Sequence, residues 1–266
     1  MVSTQVLDAA RVLLCVSFFV YASWTDWKTR EVSNWVWIIL APSAFALTTI
    51  EYVFLAPHLL FNYAVYFGVT FTLSTVLFYA GAFGGADAKA LMCLALALPY
   101  PIQLLPTTTF FSPIFPITVF SNAVLLAALT VVYALLRNLL WRTQTGSSLF
   151  AGFENESIWR KILVLITGYK IGLDRLEKSA HMYPLEDIIT KETGEDERQL
   201  LVFPKDETQE TITVRILSAW REGKIQNGVW VTPGLPLLIF ITAGLVIALL
   251  FGDLVWMLLR LILAPR

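Results

Sequence analysis

Residues 59–82 read LLFNYAVYFGVTFTLSTVLFYAGA, twenty-four consecutive positions without a charged side chain. A helix of about 18 or more apolar residues reaches across the hydrocarbon core of a bilayer, whereas a soluble core helix shows charge every few positions. The stretch reads as a membrane span. Working outward, further apolar runs lie at roughly 6–25, 35–56, 88–105, 115–140 and 235–262. Pro99 and Pro101 interrupt the run at 88–105, which marks a short or broken helix. Such a break is tolerable where protein rather than lipid surrounds the freed backbone groups. Asp8 and Arg11 share a helix face near the start of the first run, placed to pair or to reach the interface.

The composition agrees: 57% hydrophobic, 15% charged, with a mean hydropathy of +0.67. The formal net charge is −1 and no region gathers the basic excess that phosphate contacts demand, which argues against a nucleic-acid partner. Cys15 and Cys93 both sit inside apolar runs and read as buried small hydrophobes. His58 and His181 lie far apart without ligand spacing, so neither a metal nor another cofactor is expected. Residues 1–7 carry no basic side chain and no small-residue cleavage site follows, so the first run is expected to stay as a transmembrane helix.

Lys28 and Arg30 follow the first run, Lys89 follows the third, and thirteen further Lys and Arg fall between Arg137 and Lys224, while 53–58 and 101–114 hold none. Basic loops stay on the cytoplasmic side, which puts the N-terminus outside. Residues 142–231 are charged, with short elements only: a buried element at 163–166, strands at 199–203 and 228–231, a helix favoured over a strand at 208–221, and a solvated charged loop at 192–198. The expected fold is a membrane all-α protein of about six transmembrane helices. A small α+β cytoplasmic domain is inserted before the last helix. The boundaries are drawn at 1–141 for five helices, 142–231 for the soluble domain and 232–266 for the sixth helix.

Two carboxylates stand at the ends of apolar runs. Asp26 follows the first run in Trp24-Thr25-Asp26-Trp27, and Asp87 opens the fourth in Gly84-Gly85-Ala86-Asp87-Ala88-Lys89. The basic-loop pattern places both at the cytoplasmic level. Two aspartates brought close share a proton, so the ionised one takes a proton from water while the other supports a carbonyl oxygen under attack. Gly84 and Gly85 permit unusual dihedrals and leave room for a substrate backbone. Taken singly, Asp87 reads equally well as a helix cap, and for Asp26 an exposed loop residue is the favoured reading. The tryptophans Trp24, Trp27, Trp35 and Trp37 read as an interfacial belt.

The segment from Asp26 through Lys28, Arg30, Glu31 and Val32 to Asn34 resembles the first catalytic motif of the type IV prepilin peptidases and archaeal preflagellin peptidases. Gly84-Gly85-Ala86-Asp87 resembles their second, the GxGD motif shared with presenilin-type proteases, with Ala86 in place of the glycine before the aspartate. Thr167-Gly168-Tyr169-Lys170 and Thr232-Pro233-Gly234-Leu235-Pro236 look like features of archaeal members. The resemblance implies an aspartyl endopeptidase that acts on archaellin or pilin precursors carrying a basic leader and an apolar helix that stays in the bilayer. Asp26 and Asp87 would be catalytic. Gly84, Gly85, Ala86, Lys89, Arg30, Glu31 and Asn34 would support them or the substrate, with Glu31 adding negative charge toward the basic leader.

Three other readings stay open. A transporter or channel would use the same carboxylates as proton or cation sites. Their position at the ends of the runs, and the lack of a visible inverted repeat, weigh against it. A presenilin-like protease cutting within the bilayer would need its proline motif on a late helix, whereas Ala97-Leu98-Pro99 follows directly after Asp87. A structural membrane subunit without catalysis is the third.

Overall fold

The computed structural model describes residues 4–102, 112–177, 182–190, 196–201, 209–225, 227–234 and 236–263. Most of the loop read at 101–114 lies outside them, as do His181, Glu192, Phe203 and Leu235. The chain divides into two compact units, Met1–Ala127 with Pro236–Arg266, and Ala128–Leu235.

The first unit is helical. It contains α1 (Thr4–Thr29), α2 (Asn34–Thr49) prolonged by a π-helical stretch (Ile50–Leu55), α3 (Leu60–Tyr79), α4 (Gly85–Ala97), the start of α5 (Phe115–Thr145), α9 (Leu237–Phe251) and α10 (Leu254–Leu263). Four helical segments are long and apolar enough to cross a membrane: Thr4–Thr29, Asn34–Leu55, Pro57–Tyr79 and Phe115–Thr145. Helix α4 packs against α1, α2, α3 and α9. It buries Ala88, Ala90, Leu91, Leu94, Ala95 and Ala97, and the four alanines let its neighbours come close. Its thirteen residues span only about 20 Å. Leu98, driven to φ −130° ahead of Pro99, ends it.

The last apolar run, read in the sequence as one span, forms two helices. Gly252 turns the chain at φ +86°, and the Asp253 carboxylate then accepts the Trp256 N–H at 3.2 Å to start α10. The fold is therefore mostly helical, with four helices of spanning length among the described residues. Asp8 and Arg11 do pair, and Arg11 also binds Glu51 of the π-helical stretch, so a fully buried guanidinium joins α1 to the end of α2.

The second unit carries the sheets. After the end of α5 come α6 (Ile158–Thr167), β1 (Tyr169–Ile171), α7 (Leu173–Glu177), β2 (Met182–Pro184), β3 (Glu186–Thr190), β4 (Asp196–Leu200), α8 (Gln209–Arg221) and β5 (Val229–Pro233). Strands β1, β5 and β2 make an antiparallel sheet in that order, and β3 pairs with β4. Alternation along β5 sends Val229 and Val231 to a core with Ile171 and Ile216, and Trp230 to the opposite core with Phe153. The helix read at 208–221 forms as α8, and the strands fall at 196–200 and 229–233. One expectation is corrected: the charged stretch ending at Arg198 is not all solvated loop. Arg198 lies in β4, where its guanidinium meets the buried Glu186 carboxylate at 2.6 Å and the Gly228 carbonyl at 2.9 Å. A charge run in sequence does not disclose that one of its members has a buried partner twelve residues away.

Candidate active site

Asp26 lies in the last turn of α1 and Asp87 in the first turn of α4, helices that pack on each other. Helix α1 closes with the Arg30 N–H donating to the Asp26 carbonyl at 3.0 Å, and Arg30 itself sits at φ +59°. That left-handed conformation is usually left to glycine or asparagine. Thr29 holds the turn by donating from Oγ1 to the Glu31 carbonyl at 3.0 Å, and the chain re-enters the bundle at Asn34.

Helix α4 begins on a one-sided cap, in which the Gly84 N–H donates to Asp87 Oδ2 at 3.1 Å. Asp87 is 9% exposed, and its other oxygen, Oδ1, is buried without a hydrogen-bond partner among the described residues. Asp26 is half-buried, and its charge acts on Asp87. The two aspartates singled out from the sequence thus stand at the ends of two helices in contact.

The supporting residues divide. Lys89 donates to Asn34 Oδ1 at 2.7 Å, which ties the start of α2 to the start of α4 beside the pair. The Arg30 charge acts on Asp26, and its Nε is buried without a hydrogen-bond partner among the described residues. Glu31 is exposed. The glycines have a different reason from the one expected. Gly84 adopts φ −70° and ψ 159°, open to any residue, and Gly85 and Ala86 are helical. What glycine supplies at 84 is space, since a Cβ there would lie 3.0 Å from Asp87 Oδ2. At 85 a Cβ would meet nothing nearer than the Phe78 ring at 3.8 Å. Alanine at 86 sits inside the first turn, where it is a good helix former. Of the four tryptophans, Trp24, Trp27 and Trp35 are exposed, but Trp37 is buried, because two positions on from Trp35 a helix has turned to its other face.

Sequence reading passed over the polar side chains inside the apolar runs, chiefly Glu51, Asn122 and Asn138, all of them buried. The available signal was their cost: a polar group in such a run needs a partner. Metal-ligand clusters of three or more His, Cys, Asp or Glu are absent among the described residues.

The fold and the pair define a helical protein with membrane-spanning helices and two carboxyl groups held at neighbouring helix ends. Residues 13–132 match the type IV leader peptidase family, and residues 160–254 match the archaeal peptidase A24 C-terminus type II. A preflagellin peptidase of Methanococcus maripaludis is 26% identical over 243 residues, 88% of this chain and 91% of that one. A preflagellin peptidase of Methanococcus voltae is 26% identical over 247 residues, 87% of this chain and 91% of that one.

Proposed function

We propose that this protein is a membrane aspartyl endopeptidase that removes the basic leader from archaellin or pilin precursors at the cytoplasmic face. The observation that carries the reading is the meeting of Asp26 and Asp87, within electrostatic reach and with Asp87 Oδ1 unpartnered. The two carboxyl groups hold one proton between them. The ionised group removes a proton from water as the oxygen attacks the scissile carbonyl, and the protonated group donates to the carbonyl oxygen. The intermediate collapses as the leaving nitrogen takes up a proton, and the products are a carboxylic acid and an amine. Neither a metal nor a side-chain nucleophile enters these steps. The apolar part of the precursor stays in the bilayer, and Glu31 faces the basic leader. In the same reading the chain crosses the membrane about six times, with its N-terminus outside and residues 142–231 in the cytoplasm.

Membranes containing the protein are expected to cleave a precursor with a basic leader and an apolar helix. Asp26→Asn and Asp87→Asn, inserted to equal levels, should each lose about a hundredfold or more of that rate. Cleavage that survives either change sinks the pair as the catalytic device. Failure of the wild type on several precursors, together with proton or cation flux abolished by the same variants, turns the reading to transport. Glu31→Gln should cut the preference for basic over uncharged leaders about severalfold. An unchanged preference removes Glu31 from leader recognition.

A further inference from the structure

A helix on the surface of a soluble core turns its apolar stripe inward and its charges outward. Helix α6 does the reverse. Ile158, Trp159, Ile162, Leu163 and Ile166 follow the i, i+1, i+4, i+5, i+8 spacing of one helix face. Ile158 and Trp159 are 73% and 75% exposed, and Ile162 and Leu163 are exposed as well. The side chain that α6 buries is Val164, which joins Phe153, Leu200 and Trp230 in a core. About the helix axis Val164 falls between Arg160 and Lys161, on the side away from the apolar stripe. The narrow line between the two charges thus meets the core, and the wide apolar face is left outward.

Ten residues make about 15 Å of helix against a hydrocarbon core of about 30 Å, so α6 does not cross a bilayer. Its place in the chain says what lies against the stripe. The end of α5 belongs to the same compact unit, and α5 is one of the helices of spanning length. Along it, exposed apolar side chains continue to Leu139 and Leu140, and exposed Arg142, Thr143, Gln144 and Thr145 follow. Hydrocarbon therefore ends near Leu140, and the last turn of α5 stands at headgroup level. Helix α6 begins after twelve further residues, 146–157. So short a tether keeps the lipid surface at high local concentration. The makeup of α6 suits that surface. Trp159 has a ring that takes the interfacial level, the helix holds no acidic residue, and Arg160 and Lys161 flank the stripe on either side with stems long enough to reach headgroups. Arg160 also pairs with Glu156 at 3.1 Å, and Lys161 donates to the Glu154 carbonyl at 3.2 Å, so the apolar face outweighs charge in the attachment.

We propose that α6 lies in the plane of the membrane surface, with Ile158, Trp159, Ile162 and Leu163 seated between headgroups and upper acyl chains. This requires the membrane attachment of the chain and not leader cleavage. The full-length protein is reconstituted in bilayers of phosphatidylcholine and phosphatidylglycerol, carrying a nitroxide on Ile162→Cys or, as control, on Glu222→Cys, exposed in the same unit. Cys15 and Cys93 are buried, and mock-labelled wild type sets the background. Relaxation by oxygen, which concentrates in lipid, and by a water-soluble nickel chelate gives the depth of each label. The label at 162 is expected about 5–10 Å into the headgroup–acyl boundary, and the label at 222 in water. A second arm needs no label: acyl chains brominated near the headgroup quench tryptophan emission, and the emission lost should be smaller in Trp159→Phe than in wild type. A label at 162 that reads water, as the one at 222 does, overturns the proposal. So does a label at 162 shielded from both reagents, which means that protein, from this chain or a second copy, covers the stripe. Quenching unchanged in Trp159→Phe overturns it as well.

Discussion

Gly84 and Gly85 are adjacent in sequence, yet their surroundings ask different things of them. At 84 a methyl group meets the carboxylate oxygen that accepts the capping N–H, at 3.0 Å, whereas at 85 it meets an aromatic edge at ordinary contact distance. The backbone of Gly84 suits any residue, so Gly84→Ala should leave the helix and the melting midpoint nearly intact while pushing Asp87 out of position. We expect about a tenfold loss of leader cleavage, because small displacements of a reacting group are expensive in rate. Gly85→Ala should cleave at close to the wild-type rate. If instead Gly85→Ala is the inactive variant, the space at 85 is needed by the substrate backbone and the strain at 84 is unimportant. The aspartates themselves were legible in the sequence, since a carboxylate at the end of an apolar run is conspicuous. The reason for the glycines was not, because it depends on where the Asp87 side chain folds back.

At the scale of elements, α5 shows what an apolar run conceals. Asn122 donates to the Gly252 carbonyl at 2.9 Å and accepts from the Leu254 N–H at 3.0 Å, across the break between α9 and α10. Asn138 donates to the Gly168 carbonyl at 2.9 Å and accepts from the Lys170 N–H at 3.0 Å, completing the free edge of β1. Each amide satisfies two backbone groups that the helices and strands leave unpaired, one pair in each unit. Replacing either by leucine keeps the branched outline and the number of side-chain heavy atoms and strands both groups. Asn138→Leu and Asn122→Leu should each cost about 2–4 kcal/mol, read as a fall of several degrees in the melting midpoint of the detergent-solubilised protein. A midpoint within a degree of wild type in either case means that water or another group replaces the amide. Hydrophobic runs and turn residues located the elements well, including α8 and β5. They did not locate the helix break at Gly252, where a glycine inside an apolar stretch costs little to overlook. Nor did they reveal which polar residues inside a run are stitched to backbone far along the chain.

For the whole molecule, the presence of a sheet-containing region beyond the apolar helices was readable from the change in composition at about residue 142, because burial in lipid and burial in a small soluble core call for different side chains. What composition could not show is that the second unit buries charge. Lys170, Glu186 and Asp187 are each 2% exposed or less. Lys170 gives this a measurable consequence. Desolvation is the largest influence on its ammonium and pulls it from 10.5 to about 8, against the opposing pull of Glu186. Below about pH 8 both folded and unfolded chains hold the proton, and folding bears the full cost of burying the charge. Between about 8 and 10.5 the unfolded chain still holds a proton that the folded chain has released, so deprotonation favours the folded state and stability rises with pH. Above 10.5 the gain is complete, on the order of 3 kcal/mol. Tyrosines and other lysines titrate in the same window, so the informative quantity is the difference between wild type and Lys170→Met, which keeps the chain length and removes the charge. The variant should be the more stable protein at pH 7, and its advantage in melting midpoint should shrink as the pH passes from 8 to 10.5. An advantage that stays constant with pH would mean that the ammonium reaches water or a partner in solution, and the buried-charge account of this unit would fall with it.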